Sequence, residues 1–249
     1  MAGFMSSLSA ICFGLSCVLA GYLCSLCFTP PNPNPQQIYR GDRIRMFAML
    51  PTFIFNRFKV RVLALYHALL SLAFAAARHS GGSGSNILES NASRFCPNPS
   101  NLNPDLFSWN PLTAGSLAAI LLVGAPLRLA AFGGLGKNFT FKIAPPDRLI
   151  TTGIYRYVQH PGYTGLIVAA AGSVTLFFRW DASFACWIPG HVLDKLNGFE
   201  WTWICGLVGF AVSIFALRVR DEERMLKEKF GDEWKRWHRE TSRFIPGII

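Results

Sequence analysis

Residues 201–217 read WTWICGLVGFAVSIFAL, 17 consecutive residues without a formal charge between Glu200 and Arg218. As a helix this stretch is roughly 26 Å long, close to the thickness of a bilayer's hydrocarbon core. Directly after it the chemistry inverts: residues 218–249 carry nine basic and seven acidic side chains. An apolar run cut off by a dense polar segment reads as a helix leaving a membrane. The composition agrees. Hydrophobic residues make up 51% of the 249 and charged residues 15%, against about 25% charged in a typical soluble domain. Too few charges remain to cover a soluble surface. The same balance excludes a disordered tail, a collagen-like chain and a coiled coil.

Working back from that stretch, four more segments approach the roughly 17–25 apolar residues a span needs. They are residues 4–28, 62–77, 112–132 (interrupted by Arg128) and 163–180. The first lacks a basic leader and its apolar run is long, so it reads as an anchor rather than a signal peptide. Residues 46–55 are apolar too; lengthening the second helix, lying on the surface and entering part way all fit them. The expectation is an all-α, polytopic membrane bundle of about five transmembrane helices with a C-terminal cytosolic helical cap. Residues 1–111 would form N-terminal membrane helices and loops, and 112–249 a functional region.

Basic loops favour the cytosol. Residues 29–61 carry six basic side chains and one acidic, residues 133–160 four and one, and the tail nine basic. Residues 78–110 carry two of each sign, and residues 179–200 two basic and three acidic. The alternation puts the N-terminus in the lumen and the C-terminus in the cytosol. The sequon at Asn91 falls in a lumenal loop, and that at Asn138 on the cytosolic side. Residues 79–111 are rich in turn residues and read as an irregular loop. Pro30 to Pro35 read as a stiff linker.

The net charge of +10 raises nucleic acid and anionic lipid as partners. The densest charge is a mixed-sign run, which is a solvated helix face rather than a nucleic-acid groove; no nucleic-acid partner is expected. Cys12, Cys17, Cys24, Cys27, Cys186 and Cys205 lie in apolar stretches and read as small hydrophobes, leaving only Cys96 in a polar loop. Cys24 and Cys27 have CxxC spacing but no second ligand pair, so no metal is expected.

Two polar clusters resist a purely structural reading, and such groups at the end of a membrane bundle are functional candidates. The first spans residues 136–165. Pro161 suits the first turn of the fourth helix, which sets His160 at the helix N-terminus beside free backbone donors able to hold an anion. A re-entry shaped by Gly153, Pro161 and Gly165 and capped by His160 explains the same residues. The second cluster spans residues 218–246. Met225, Leu226, Phe230, Trp234 and Trp237 recur at helical spacing, so one face is apolar. Gly231 ends one helix there, and Asp232 caps the next. An amphipathic surface pair accounts for the aromatics. It accounts less well for Arg218, Glu222 and Glu223 at the point of exit. Arg218 and Glu222 share a face and can pair with each other.

Taken together, GIYRYVQHPGYTG at 153–165, a membrane helix, DEERML at 221–226, Phe230-Gly231 and RFIP at 243–246 resemble the isoprenylcysteine carboxyl methyltransferase family, which is related to the membrane phospholipid methyltransferases. The likeness covers about residues 117–249. It implies a membrane-embedded protein-S-isoprenylcysteine O-methyltransferase that uses S-adenosyl-L-methionine without a Rossmann fold, and the chain has no GxGxxG after a strand. It implies prenylated CaaX-type proteins or peptides as substrates, a lipid bilayer as surroundings, and the endoplasmic reticulum membrane as location. Carried over, the cofactor-binding residues would be Asp147, Arg148, Leu149, Ile150, Tyr155, His160, Pro161, Gly162, Tyr163 and Glu222. Arg218 would bind the substrate carboxylate, and Arg218, Glu222 and His160 would form the catalytic set.

The chain departs from the family at Gln159, where Arg usually precedes the His-Pro pair, at Trp234, where Tyr is common, and in a shorter N-terminal part. Three other readings stand beside this one. A phospholipid or small-amine N-methyltransferase needs a base, for which Glu223 and His238 are the candidates. A membrane sterol reductase-like protein would depend on nicotinamide. A non-catalytic relative is the reading that Gln159 favours.

Overall fold

The computed structural model describes residues 2–33, 35, 37–44, 57–79, 95–196 and 198–247. Every regular element among them is helical, and the one β feature is an isolated bridge between Val158 and Ser242. Residues 46–55, the Ser/Gly run after His79 and the sequon at Asn91 lie outside the described residues.

The helices are α1 (Ala2–Cys27), α2 (Arg57–His79), α3 (Pro111–Ala118), α4 (Ala125–Leu135), α5 (Pro161–Phe177), α6 (Gly190–Leu196) and α7 (Glu200–Glu240). A π turn at Ala119–Gly124 joins α3 to α4, and the two run as one helical stretch to Asn138. Among the described residues, three stretches are long and apolar enough to cross a membrane: Ser7–Cys27, Arg57–Arg78 and Pro111–Asn138. The fourth expected span is the shorter apolar helix α5. The fifth forms the first part of the 41-residue α7. Gly231, at φ 53°, breaks α7 where its sequence announced an end.

The described chain forms two compact units. One comprises residues 1–25, 58–122 and 169–200, and the other residues 26–57, 123–168 and 201–249. In the first, α1 buries Phe13, Cys17, Ala20 and Cys24, a stripe at helical spacing. Its outward positions, Leu8, Ile11, Leu15 and Leu19, are exposed yet apolar. A water-facing helix would carry polar groups there, so this face suits lipid. Small residues let α1 and α2 approach: a Cβ on Gly21 would collide with that of Ala64. His67 is fully buried, stacked on Phe107 at 4.6 Å, with its ring nitrogens on Ser183 Oγ (2.6 Å) and the Leu106 carbonyl (3.0 Å).

Cys186 departs from the sequence reading. It is joined to Cys96 in a disulfide closing 90 residues of chain. The sulfurs sit in a cluster with Leu70, Phe74, Leu102, Leu106 and Phe107. Asn98 and Asn101 donate to the carbonyls of Cys186, Ala185 and Ile188. Cys186 is apolar in its surroundings, as expected, but a turn-rich loop 90 residues away supplies its partner, and no local pattern records that.

In the second unit, Gly165 sets the approach of α5 to α4. A Cβ there would lie 2.6 Å from Arg128 N and 2.8 Å from the Gly124 carbonyl. That closeness lets the buried Arg128 reach the Gly162 carbonyl at 3.0 Å, with its guanidinium over the rings of Phe132 (4.8 Å) and Phe139 (5.0 Å). The linker after α1 packs down: Asn32 donates to the carbonyls of Gly136 and Phe139, and Tyr39 N to that of Ile143.

Candidate functional site

Pro161 opens α5, as its missing N–H allows. His160 therefore ends the preceding turn, and its carbonyl takes the N–H groups of Tyr163 and Thr164. One turn into α5, Tyr163 faces Arg218 and Glu222 of α7. Arg218 Nε donates to Tyr163 Oη (3.3 Å), and the Tyr163 hydroxyl donates to Glu222 Oε2 (2.8 Å). Tyr163 thus links two residues that the helical spacing alone would pair directly. Glu222 Oε1 has no hydrogen-bond partner among the described residues.

Arg218 is 8% exposed and its donors are spread over three partners. Besides Tyr163, Nη1 reaches Asp42 Oδ2 at 2.9 Å, and Nη2 donates to the Phe141 carbonyl. Burial works against the guanidinium's charge. Tyr163, Glu222 and Asp42 outweigh it and hold Arg218 above its ordinary value. Next to it, the fully buried Asp221 accepts from Arg43 Nε (2.9 Å) and from the Arg43 backbone N–H (3.1 Å).

A second knot lies where the tail returns. Gln159 N donates to the Ser242 carbonyl (2.8 Å) and His160 N to the Arg243 carbonyl (2.9 Å). The Gln159 side-chain amide donates to the His238 (3.1 Å) and Thr241 carbonyls. With its NH₂ facing two carbonyls, the amide oxygen must accept, so His238 Nδ1, 2.7 Å away, carries the proton. Glu223 takes Arg243 Nε at 3.0 Å and approaches His160 Nε2 at 3.4 Å. Burial pushes Glu223 up, but His160, Arg243 and His238 outweigh it and hold the carboxyl below its usual range. Burial pushes His238 down.

Of the residues named from sequence, the structure brings together His160, Pro161, Gly162, Tyr163, Arg218 and Glu222. Tyr155 is buried nearby: its hydroxyl donates to the Ala131 carbonyl (3.3 Å), and burial, then Glu222, push its pKa up. The run Asp147–Ile150 is not joined to them by any contact described. Asp147 is exposed and paired with Lys137 at 2.7 Å, Arg148 is exposed, Leu149 packs against the cluster of Ile143, Met225, Leu226 and Trp234, and Ile150 is half-buried. Three residues escaped the sequence reading. Asp42 is the sole acidic residue of residues 29–61, and that isolation was its signal. Arg128 was visible as a charge inside an apolar run. Arg43 carries no signal that sets it apart from its basic neighbours.

These features define a class: a chain whose described elements are helical, with membrane-length helices and a partly buried polar site in which an arginine, a tyrosine and a glutamate are joined beside a His-Pro helix start. The Isoprenylcysteine carboxyl methyltransferase (ICMT) family model matches residues 117–194, and the resemblance carried by the motifs is borne out. The chain is 29% identical over 136 residues to a protein-S-isoprenylcysteine O-methyltransferase of Dictyostelium discoideum, covering 53% of this chain and 48% of that protein. It is 28% identical over 201 residues to one of Schizosaccharomyces pombe, covering 79% and 71%. A probable protein-S-isoprenylcysteine O-methyltransferase of Oryza sativa subsp. indica is 24% identical over 133 residues, covering 52% and 59%. The chain thus spans between about half and seven-tenths of the length of the curated relatives it matches.

Proposed function

We propose that the chain is an S-adenosyl-L-methionine-dependent methyltransferase of the membrane that esterifies the C-terminal carboxylate of a prenylated cysteine. The observation that carries this reading is the chain Arg218–Tyr163–Glu222, a cation and a carboxylate set one hydroxyl apart in a partly buried site. One feature suits the methyl donor: Glu222 Oε1, without a hydrogen-bond partner among the described residues, can take its ammonium group, beside the half-buried ring of Tyr163. When bound, S-adenosyl-L-methionine supplies an electrophilic methyl group on a sulfonium, a leaving group that needs no further activation.

What this chain supplies is placement. Arg218 orients the acceptor carboxylate by a charge-assisted pair, and Tyr163 fixes Arg218 relative to Glu222. The acceptor is ionised at neutral pH, so no base is required. An amine acceptor would require one. Here the two candidates are engaged: Glu223 is held as a carboxylate by Arg243 and His160, and His238 gives its Nδ1 proton to Gln159. The carboxylate acceptor is favoured on that ground. Prenylated CaaX-type proteins or peptides are the substrates of this reading, with the prenyl chain lying in the bilayer. The region 112–249 carries the catalytic residues of this reading.

We place the protein in the endoplasmic reticulum membrane with its C-terminus in the cytosol. Loop charge supports this orientation. The Cys96–Cys186 disulfide does too, since it joins the two loops whose charge marks them as lumenal, where disulfides persist. The test is transfer of labelled methyl from S-adenosyl-L-methionine in membranes expressing the chain, with and without N-acetyl-S-farnesylcysteine. Base-labile label that depends on the acceptor supports a carboxyl methyl ester. Label in the phospholipid fraction instead moves the protein to the N-methyltransferases.

A further inference from the structure

Asp42 lies in the linker after α1, and its side chain has no exposure. Its two oxygens are used unequally. Oδ2 accepts from Arg218 Nη1 (2.9 Å) and from Ile143 N (3.1 Å), whereas Oδ1 is buried with no hydrogen-bond partner among the described residues. A guanidinium and a carboxylate bind best through two parallel hydrogen bonds. Asp42 makes one, and the neighbouring Arg218 nitrogen turns to the Phe141 carbonyl instead.

As a structural staple this is a poor arrangement. A buried ion pair gains little over apolar packing, and an unsatisfied buried oxygen costs stability outright. As a place-holder it is a good one. With Asp42, Phe141 and Tyr163 on its nitrogens, Arg218 meets an incoming carboxylate already engaged by another. Exchange of one carboxylate for the other keeps the buried cation compensated throughout, and Ile143 N continues to hold Asp42 after it leaves Arg218.

We propose that Asp42 is an internal stand-in for the acceptor carboxylate: it neutralises Arg218 in the empty site, yields it to the acid form of the acceptor, and takes it back when that carboxylate has become a neutral ester. Asp42 is thus a specificity-determining residue that sets how strongly the site distinguishes acid from ester. This rests on the carboxyl methyl transfer proposed above.

The test is binding, measured without methyl donor. The full chain in lipid nanodiscs is titrated with N-acetyl-S-farnesylcysteine and, separately, with its methyl ester, for wild type, Asp42→Asn and Asp42→Glu. The Asn variant retains an acceptor for Ile143 N and removes the competing charge. The expected result is acid binding about tenfold tighter, the scale of one charge-assisted hydrogen bond, with ester binding unchanged within about twofold. Asp42→Glu, which restores the charge, returns the acid-to-ester ratio toward wild type. Equal weakening of acid and ester in Asp42→Asn, or an unchanged ratio, makes Asp42 a structural prop and overturns the proposal. Should Asp42→Asn lose its fold when empty, recovery by the acid and not the ester supports the exchange, and recovery by neither refutes it. If wild type binds neither compound and transfers no methyl to the acid, the functional reading itself has failed, visibly in wild type, and the proposal falls with it.

Discussion

Replacing Gln159 with Ala tests how the tail is held against the His-Pro turn. The side chain is 5% exposed and its amide makes three hydrogen bonds, two given to carbonyls of residues 238 and 241 and one received from His238 Nδ1. Alanine removes all three. At roughly 0.5–1.5 kcal/mol net for each, the loss is about 2–4 kcal/mol. The backbone bonds from Gln159 N to Ser242 and from His160 N to Arg243 remain, as does the Glu223–Arg243 pair. The tail therefore loosens without the bundle unfolding. At about 1.4 kcal/mol per factor of ten, the open population rises about 30- to 700-fold. Hydrogen exchange followed by mass spectrometry reads this directly, with tail peptides over residues 238–246 compared against peptides within α5. Protection of the tail should fall by that factor and α5 should change less than about threefold. Unchanged tail protection in Gln159→Ala would refute the idea that this amide fastens the tail.

Gly165→Ala places a Cβ against the backbone of Arg128 and Gly124, which cannot swing aside; a loss of about 1–3 kcal/mol in thermal unfolding is expected, whereas Gly206→Ala, which meets nothing within 4 Å, serves as the tolerant control. Reducing the Cys96–Cys186 bond releases a closure over a sequence separation of 90, and the chain-entropy relation puts the loss at about 4–5 kcal/mol; Cys96→Ser should lower the unfolding temperature similarly and abolish its response to reductant. Glu223 sits below its ordinary value because His160, Arg243 and His238 outweigh its burial, so its contribution is present above the usual glutamate range, about 4.3, and is lost as pH falls through its lowered folded value. Tail protection, referred to the intrinsic exchange rate at each pH, should fall down that range in wild type and show a smaller acid step in Glu223→Gln.

The helical architecture was legible because its signal is local. An apolar run such as residues 201–217, and the glycine that breaks α7 at residue 231, state their structure within a few turns of chain. Pro161 opened α5 for the same reason, since a residue without an N–H fits a first turn. Gln159 was legible only as a departure from a motif. Its surroundings give it a reason: a neutral amide can give two hydrogen bonds and receive one, which is what two carbonyls and the His238 proton ask for, whereas a guanidinium gives but cannot receive.

The partner of Arg218 was not legible, for a physical reason. Helical spacing sets Glu222 four residues on, and a pair of that kind is the natural local reading. The structure interposes Tyr163 from α5 and brings Asp42 from 176 residues away. Spacing along one helix cannot record either choice, because both depend on how separate segments pack. What the sequence did hold was an imbalance: a single acid among six basic residues in residues 29–61. Read for orientation, that segment counts as basic and Asp42 as noise. Read for chemistry, an acid retained in so basic a segment calls for a buried cation to neutralise, and Arg218, at the end of an apolar run, is the cation it reaches.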